Sequence, residues 1–271
     1  MHIKPLLLGS DPEFLLRDRD TKKLISSIGI IPGTKEEPVT ADELGDGYTI
    51  QIDNVLGEIS VPPAKNSEEL WENIQTGLNY IQDTILPDSL EIFHASSGSY
   101  SDDQLDNEIA RTLGCSPSLN AWTEGINESP DASSNLRGCG CHIHLSYEDH
   151  NVQTNFELGR VFDLFCTLPT IILDDDTDRR QFYGKAGEIR HTSYGVEFRT
   201  LGGFLLRDKQ IYDYILGNLD RAIEFINNGN EIDSDLSIGI QIAINTQSKS
   251  IAQDIINMVG IPFPYNELKK A

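Results

Sequence analysis

Four short stretches place two chemically active side chains two positions apart: Asp11 and Glu13 in GSDPEFLL, His142 and His144 in CHIHLS, Glu188 and Arg190 in GEIR, Glu197 and Arg199 in GVEFRTL. On a β-strand that spacing turns both side chains to one face. A single acid-x-acid pair is weak evidence, because exposed strand faces often carry one. Four such pairs, each inside an apolar strand-like segment, form a pattern. If one sheet face presents them all, it becomes a floor of carboxylates, imidazoles and guanidiniums that is costly to bury unpaired. Metal ions or a polyanionic ligand would satisfy such a floor. Carboxylates with an imidazole suit Mg²⁺ or Mn²⁺, while arginines hold phosphate oxygens through bidentate bonds. An ATP–metal complex needs both.

Two further segments add to this inventory. QIDNVLGEISVPP, residues 51 to 63, contributes Asp53 and Glu58. Their odd separation puts them on opposite faces of one regular strand, so Asn54 or Gly57 must distort it if both reach one site. Glu58, set among Leu56, Ile59 and Val61, is the better metal ligand; Asp53 serves equally well as a turn residue. The segment DRRQFYGKAGEIRHTSYGVEFR concentrates Arg179, Arg180 and Lys185 beside both acid-x-Arg pairs. In a chain with 21 basic and 43 acidic residues such a cluster suits a triphosphate or a substrate carboxylate. The bland alternative is a set of surface ion pairs with Asp174, Asp175, Asp176 and Asp178.

RGCGCHIH also raises zinc. On a strand, however, Cys139 and Cys141 face one way while His142 and His144 face the other, which opposes a shared tetrahedral site. Neither a C-x2-C pair, His-Glu-x-x-His, Walker A nor a full dinucleotide fingerprint occurs.

The elements that must position these groups follow from hydrophobic period. KPLLLGSDPEFLLRD, KLISSIGIIPGT, YTIQIDNVLGEISVPP, LEIFHASSGSY, CHIHLSY and GVEFRTLGGF read as strands bounded by Gly, Pro, Asp or Ser. NSEELWENIQTGLNYIQDTI reads as a helix capped by Ser67, with Leu70, Ile74, Leu78 and Ile81 on one face. After residue 150 helices prevail: one from Asn155 ending around Pro169, one over DKQIYDYILGNLDRAIEFINNG that stops at Asn228-Gly229, and a shorter one over SKSIAQDIINMVG. The fold class expected is α+β with an antiparallel sheet and flanking helices, a single domain over residues 1–271 in which 208–271 is a helical extension.

The net charge of −22 excludes a nucleic-acid surface, and no stretch approaches the length of a membrane span. The start, MHIKPLLLGS, lacks the form of a signal peptide, and four cysteines without one indicate reduced thiols, so the cytoplasm is the expected compartment. The acidic loops SDDQLDNE and TEGINESPDASSN are either covers that exclude water or ordinary surface turns.

With these residues assembled, the chain resembles the phage-type COOH–NH2 ligases (type 2), a branch of the glutamine synthetase-like amidoligase superfamily. The resemblance runs in order through GSDPEFLL, DNVLGEISVPPAKNSEEL, LGCSPSLNAW, RGCGCHIHLS and YGKAGEIRHTSYGVEFRTL, over roughly residues 6 to 207. It implies a glutamine synthetase-like catalytic domain whose antiparallel sheet walls the active site and binds ATP with divalent metal, Mg²⁺ or Mn²⁺. It also implies a reaction in which ATP phosphorylates a carboxylate and an amine then displaces the phosphate to form an amide.

By that resemblance Asp11 and Glu13 are the first-strand metal-binding acids, Glu58 the second-strand acid and Glu197 the late-strand metal ligand. His142 and His144 stand at the family's His-x-His, near metal or phosphate, and Arg199 at the arginine that meets phosphate. Arg190 and Glu188 join the catalytic set, Glu188 as a candidate base, and Arg179, Arg180 and Lys185 the nucleotide-binding set. Cys141 stands where the family usually has glycine, which raises the question of redox sensitivity. The partners implied are a carboxylate and an amine, on a small molecule, peptide or protein side chain, with self-association into a homo-oligomer and a phage-encoded origin in a host cytoplasm. A metal-dependent hydrolase using the same acids and histidines, and a non-catalytic nucleotide-binding or phage-associated protein on this fold, are the alternative readings.

Overall fold

The computed structural model describes residues 2–111, 118–127 and 134–269. The strands are β1 (Pro5–Ser10), β2 (Glu13–Asp18), β3 (Leu24–Ile25), β4 (Val39–Thr40), β5 (Thr49–Asp53), β6 (Leu56–Ser60), β7 (Leu90–Phe93), β8 (Ser97–Ser99), β9 (Leu119–Asn120), β10 (Gly125–Ile126), β11 (Leu136–Gly138), β12 (Ile143–Tyr147), β13 (Glu188–Thr192) and β14 (Gly195–Phe198). The helices are α1 (Ser67–Tyr80), α2 (Glu108–Arg111), α3 (Val152–Phe162), α4 (Leu168–Leu173), α5 (Lys209–Asn227), α6 (Ser234–Asn245), α7 (Lys249–Val259) and α8 (Tyr265–Leu268). Mixed α and antiparallel β structure is therefore observed.

The strands divide between two main antiparallel sheets where one had been expected to carry the whole site. The first has the order β1-β12-β14-β13-β9-β10, and the second β3-β2-β6-β5-β4 with β7 also on β2. The division falls at Asp11-Pro12. Proline has no N–H to give a ladder, so β1 ends at Ser10, and the next amide, that of Glu13, donates to Gly140 O at 2.9 Å. The expectation that Asp11 and Glu13 share one strand face is thus corrected: Asp11 stays with the first sheet and Glu13 opens the second.

A second correction concerns residues 51 to 63. Asp53 pairs with Leu56 across a two-residue turn in which Asn54 takes φ 60°, so this segment is a hairpin rather than one strand. Gln51 lies opposite Glu58, and Asp53 is two residues from Gln51, so Asp53 and Glu58 share a face without any distortion.

The alternation of the first sheet sorts its two faces. Ile143, Leu145, Ile189, Val196 and Phe198 are buried against the helices, with the Phe162 ring stacked on Phe198 at 4.0 Å between centroids. The other face carries the polar pairs.

The helix α1 buries Leu70, Ile74 and Leu78 as expected, but its cap is Asn66, whose side chain accepts from Glu69 N, and not Ser67. The helix α3 does not stop near Pro169. It passes through a π turn at Asp163–Thr167 into α4, and Pro169 sits in the first turn of α4, where its missing N–H removes little. The helix α5 buries Ile211, Ile215, Leu219, Ile223 and Ile226 and ends before Gly229 at φ 73°, and α7 starts at the Ser248 cap. The helix α6 was not expected, because its isoleucines at 238, 240, 242 and 244 alternate like a strand; as a helix it buries Ile240 and Ile244 and leaves Ile238 and Ile242 exposed. Of the two proposed cover loops, SDDQLDNE forms a 3-10 turn at Asp102–Leu105 leading to α2, while residues 128–133 of the other lie outside the described residues. No helix among the described residues is long and apolar enough to cross a membrane.

The π turn holds a buried acid. Asp163 is fully buried, accepting from Trp122 Nε1 at 2.8 Å and Gly187 N at 2.6 Å, and burial still pushes its carboxyl up to about 7. The unfolded chain would ionise this group near pH ~3.9. Between those values the folded state holds the extra proton, so this group's contribution to stability is fullest below about pH 4, falls as pH rises toward 7 and is flat above. The variant Asp163→Asn cannot ionise, and at pH 8 it is expected to exceed the parent in stability by roughly 2 kcal/mol. That is less than the full linkage value, because burying an amide NH2 carries its own cost. The gap should close at pH ~5.5 and reverse by about pH 4.5, where too little of the linkage remains to offset the amide's cost. Denaturant titrations at the highest and lowest of these pH values measure it, and an equal gap at both would refute the account.

Candidate active site at the junction of the two sheets

Strand register builds the centre of the site. Gly9, His144, Glu197 and Arg190 lie opposite one another across β1, β12, β14 and β13, so their side chains share one face. His142 precedes β12, Asp11 follows β1 and Arg199 follows β14, which brings them to the end of that face beside the second sheet. His144 Nε2 is 3.1 Å from Asp11 Oδ1, and His142 Nδ1 lies between Asp11 Oδ1 at 3.3 Å and Glu197 Oε1 at 3.4 Å. Burial opposes the ionisation of Asp11, but the hydrogen bonds and charge of His142 and His144 outweigh it and hold the carboxyl well below the usual range. His144 is correspondingly raised: burial lowers it, and the bond to Asp11 more than compensates.

The second sheet contributes acids only. Glu13 lies opposite Glu58 in the β2–β6 pair, and Asp53 stands on the same face as Glu58. Burial, reinforced by the neighbouring acids, raises Glu58 well above an ordinary glutamate; burial also raises Glu13, with Asp53 adding to it. Glu13 Oε2 accepts from Gly140 N at 2.5 Å. A Cβ at Gly140 would stand 2.6 Å from His142 Nε2, so glycine at this position lets the imidazole sit against the backbone.

The donor set suits a hard divalent cation. Asp11, His142 and Glu197 offer ligand atoms that all lie within 4.8 Å of one another. Glu197 is 2% exposed, and its Oε1 accepts no hydrogen bond, its charge being met only at ion-pair distance by His142 and Arg199, so its lone pairs are available to a cation. Glu197 Oε2 accepts from Arg190 Nη1 at 2.9 Å, and Arg199 Nε is 3.6 Å from Oε1.

The basic residues separate. Arg179 and Arg199 line a cleft between the sheets together with Glu13, Asp53 and His142. Arg180 points elsewhere: its guanidinium donates to Gly184 O, to Thr200 O at 3.3 Å and to Thr170 Oγ1 at 3.4 Å, tying the loop to α4. Lys185 is exposed. The acidic run does not hold these cations either, since Asp174 and Asp176 accept from Ser96 and Ser97 and Asp175 pairs with Lys249. Glu188 borders the cleft, but its oxygens accept from Ser118 Oγ at 3.2 Å and Gly184 N at 2.6 Å, so acting as a base would require breaking one of these bonds.

Residues 139–142 lie between β11 and β12, so the strand alternation expected there is corrected: Cys139 joins the smaller apolar cluster of Leu15 and Tyr100, and Cys141 the main core. Cys139 and Cys141 are fully buried away from the imidazoles, and burial raises both thiols, Cys141 to about 12. Neither is a reactive thiolate in the folded protein.

Two residues of the site escaped the sequence reading. Arg137 lines the cleft and is fixed by Asn54 Oδ1 at 2.9 Å and Ala110 O at 2.7 Å. Tyr194, at the tip of the β13–β14 hairpin, places its hydroxyl 3.0 Å from His144 Nδ1. The only signal for Tyr194 is its place in HTSYG, the turn joining the two acid-x-Arg strands.

A family model described as phage phiEco32-like COOH.NH2 ligase-type 2 matches residues 133–219. No curated protein matches the sequence. Among solved structures, the crystal structure of a bifunctional glutathione synthetase from Pasteurella multocida is similar with a TM-score of 0.40 and 10% identity, over 94% of this chain and 49% of that one. The chain thus spans about half the length of that structure. The family match supports a carboxylate–amine ligase in general, over a segment that holds His142, His144, Glu188, Arg190, Glu197 and Arg199 but not Asp11, Glu13 or Glu58.

Proposed function

We propose that the chain is an ATP-dependent carboxylate–amine ligase on a glutamine synthetase-like catalytic domain, working through an acyl phosphate. The observation that carries this reading is the pairing of a buried, hydrogen-bond-poor Glu197 oxygen and its Asp11–His142 neighbours with a guanidinium-lined cleft. A carboxylate oxygen attacks the γ-phosphorus and the bond to ADP breaks. The amine nitrogen then attacks the acyl carbon, the bond to phosphate breaks and the amine proton leaves.

Asp11, His142 and Glu197 would hold Mg²⁺ or Mn²⁺, with Glu13 and Glu58 facing them from the second sheet. When bound, the metal draws charge from phosphoryl oxygens. Arg179 and Arg199 face the same anions, two like charges that must otherwise repel as they meet. The cleft has a cavity volume of about 40 Å³, room for an ion and a few oxygens, so the purine lies outside it. The protein acts in the cytoplasm, and its partners are one carboxylate and one amine.

Calorimetric titration of MgATP into the protein, with ADP release followed in the presence of a carboxylate and an amine, tests the reading. Binding that requires Mg²⁺ and weakens at least about tenfold in Arg199→Ala is expected, the loss of one charge-assisted contact. Turnover without ATP that survives Arg199→Ala would instead identify a metal-dependent hydrolase, and a folded protein that binds no nucleotide would leave only a binding role.

A further inference from the structure

A second cavity borders the site and differs from the arginine cleft in chemistry. It has a volume of about 400 Å³ and meets the centre through Asp11 and His144, whereas the cleft meets it through His142. Its apolar walls are Leu7, on the β1 face that also carries Gly9, Val61 and Pro63 after β6, and the ring of Tyr194, with the Ser60, Ser146 and Tyr194 hydroxyls as polar points. Among the described residues that line it there is no lysine or arginine, while Arg137, Arg179 and Arg199 line the cleft. An anionic group therefore finds its counter-charge in the cleft, and the cavity offers an anionic head, Asp11, at the end of an apolar trough.

We propose that this groove seats the amine substrate, a primary amine borne on a carbon that carries an aliphatic or aromatic side chain, with the nitrogen toward Asp11 and His144 and the side chain over Val61, Pro63 and Leu7. The proposal rests on the ligase reading for its chemistry but not for its binding geometry. The volume matches a leucine- or phenylalanine-sized residue with its neighbouring peptide group, and Tyr194 closes one side by resting its hydroxyl on His144. Glycine at position 9, directly opposite His144, leaves room at the inner end: a Cβ there would already touch His144 Cβ at 3.4 Å.

The test uses leucinamide, phenylalaninamide and glycinamide, which share an amine head and lack a carboxylate to compete for the arginines. Their binding to the full chain is measured by ligand-observed NMR, and MgATP binding is measured in parallel. Leucinamide and phenylalaninamide are expected to bind at least about tenfold more tightly than glycinamide, the yield of burying one such side chain. The variant Ser60→Trp, which fills the trough, and the variant Leu7→Asp, which places a charge on an exposed residue of its rim, should reduce that preference to within about twofold. Because the readout is a ratio within each protein, and Leu7 is 37% exposed, a folding failure of Ser60→Trp leaves the second variant to decide. Equal binding of the three amides, or a preference that survives the folded variants, overturns the groove assignment. MgATP binding without amine preference overturns the groove alone; amine preference without MgATP binding supports the groove and removes the ligase reading.

Discussion

Glu197→Gln is expected to weaken Mn²⁺ binding by more than about 100-fold, beyond the 10- to 100-fold typical of losing an outer-shell partner. Glutamine keeps the shape of the side chain and removes its charge. In the native chain that charge is 2% exposed, accepts from Arg190 at 2.9 Å, and stands 3.4 Å from His142 and 3.6 Å from Arg199. The same substitution removes the carboxylate shared by two guanidiniums, so a loss of about 3 kcal/mol in folding stability should accompany it. Free Mn²⁺ followed by electron paramagnetic resonance gives the affinity, and urea unfolding gives the stability. An unchanged affinity in a folded variant would place the cation away from Glu197 and dissolve the Asp11–His142–Glu197 grouping as a metal centre.

The second large effect concerns the frame that brings the acids of β2 and β6 together. A Cβ at Gly57 would stand 2.2 Å from the ring of Phe14, its register partner, and that ring is wholly buried with no room to retreat. Gly57→Ala is therefore expected to destabilise the protein by about 3 kcal/mol, the upper end for an overpacked core. Gly77 on α1 is a matched control. A Cβ there would also meet an atom at close range, Ile59 Cδ1 at 2.3 Å, but that atom ends a flexible side chain and can rotate away. Gly77→Ala also gains about 1 kcal/mol of helix propensity, so its net effect should stay within about 1 kcal/mol. Comparable losses in the two variants, by urea titration, would show that the Phe14 ring is not the constraint. Since Glu13 neighbours Phe14 and Glu58 neighbours Gly57, the first variant should also weaken Mn²⁺ binding, whereas the second should not.

The ring that makes Gly57 necessary also illustrates how far one-dimensional reading reaches. Period-two spacing correctly turned His142 with His144, Glu188 with Arg190 and Glu197 with Arg199 to shared faces, because side-chain parity along a strand is a local property of the backbone. The helical periods of α1, α5 and α7 were legible for the same reason, each burying a stripe set by 3.6 residues per turn. The zinc alternative is not met, for a reason other than parity: residues 139–142 lie outside the strands, Cys139 and Cys141 enter separate apolar clusters, and among the described residues neither joins the Asp11–His142–Glu197 group.

What the sequence by itself determined is thus the inventory of acids, imidazoles and guanidiniums and the face each takes relative to its immediate neighbours. Which sheet each joins was decided only in three dimensions. Pro12 divides Asp11 from Glu13, the Asn54 turn folds Asp53 back beside Glu58, and Gly140 crosses to meet Glu13 from more than a hundred residues away. Tertiary packing likewise separated adjacent arginines, Arg179 to the cleft with its Nη2 donating to the Arg199 and Leu201 carbonyls, and Arg180 to the carbonyls of Gly184 and Thr200, and drew Tyr194 onto His144. Parity is fixed by bonds between neighbours in the chain, whereas pairing between distant strands depends on which backbone donors remain unsatisfied after each turn and proline has interrupted a ladder.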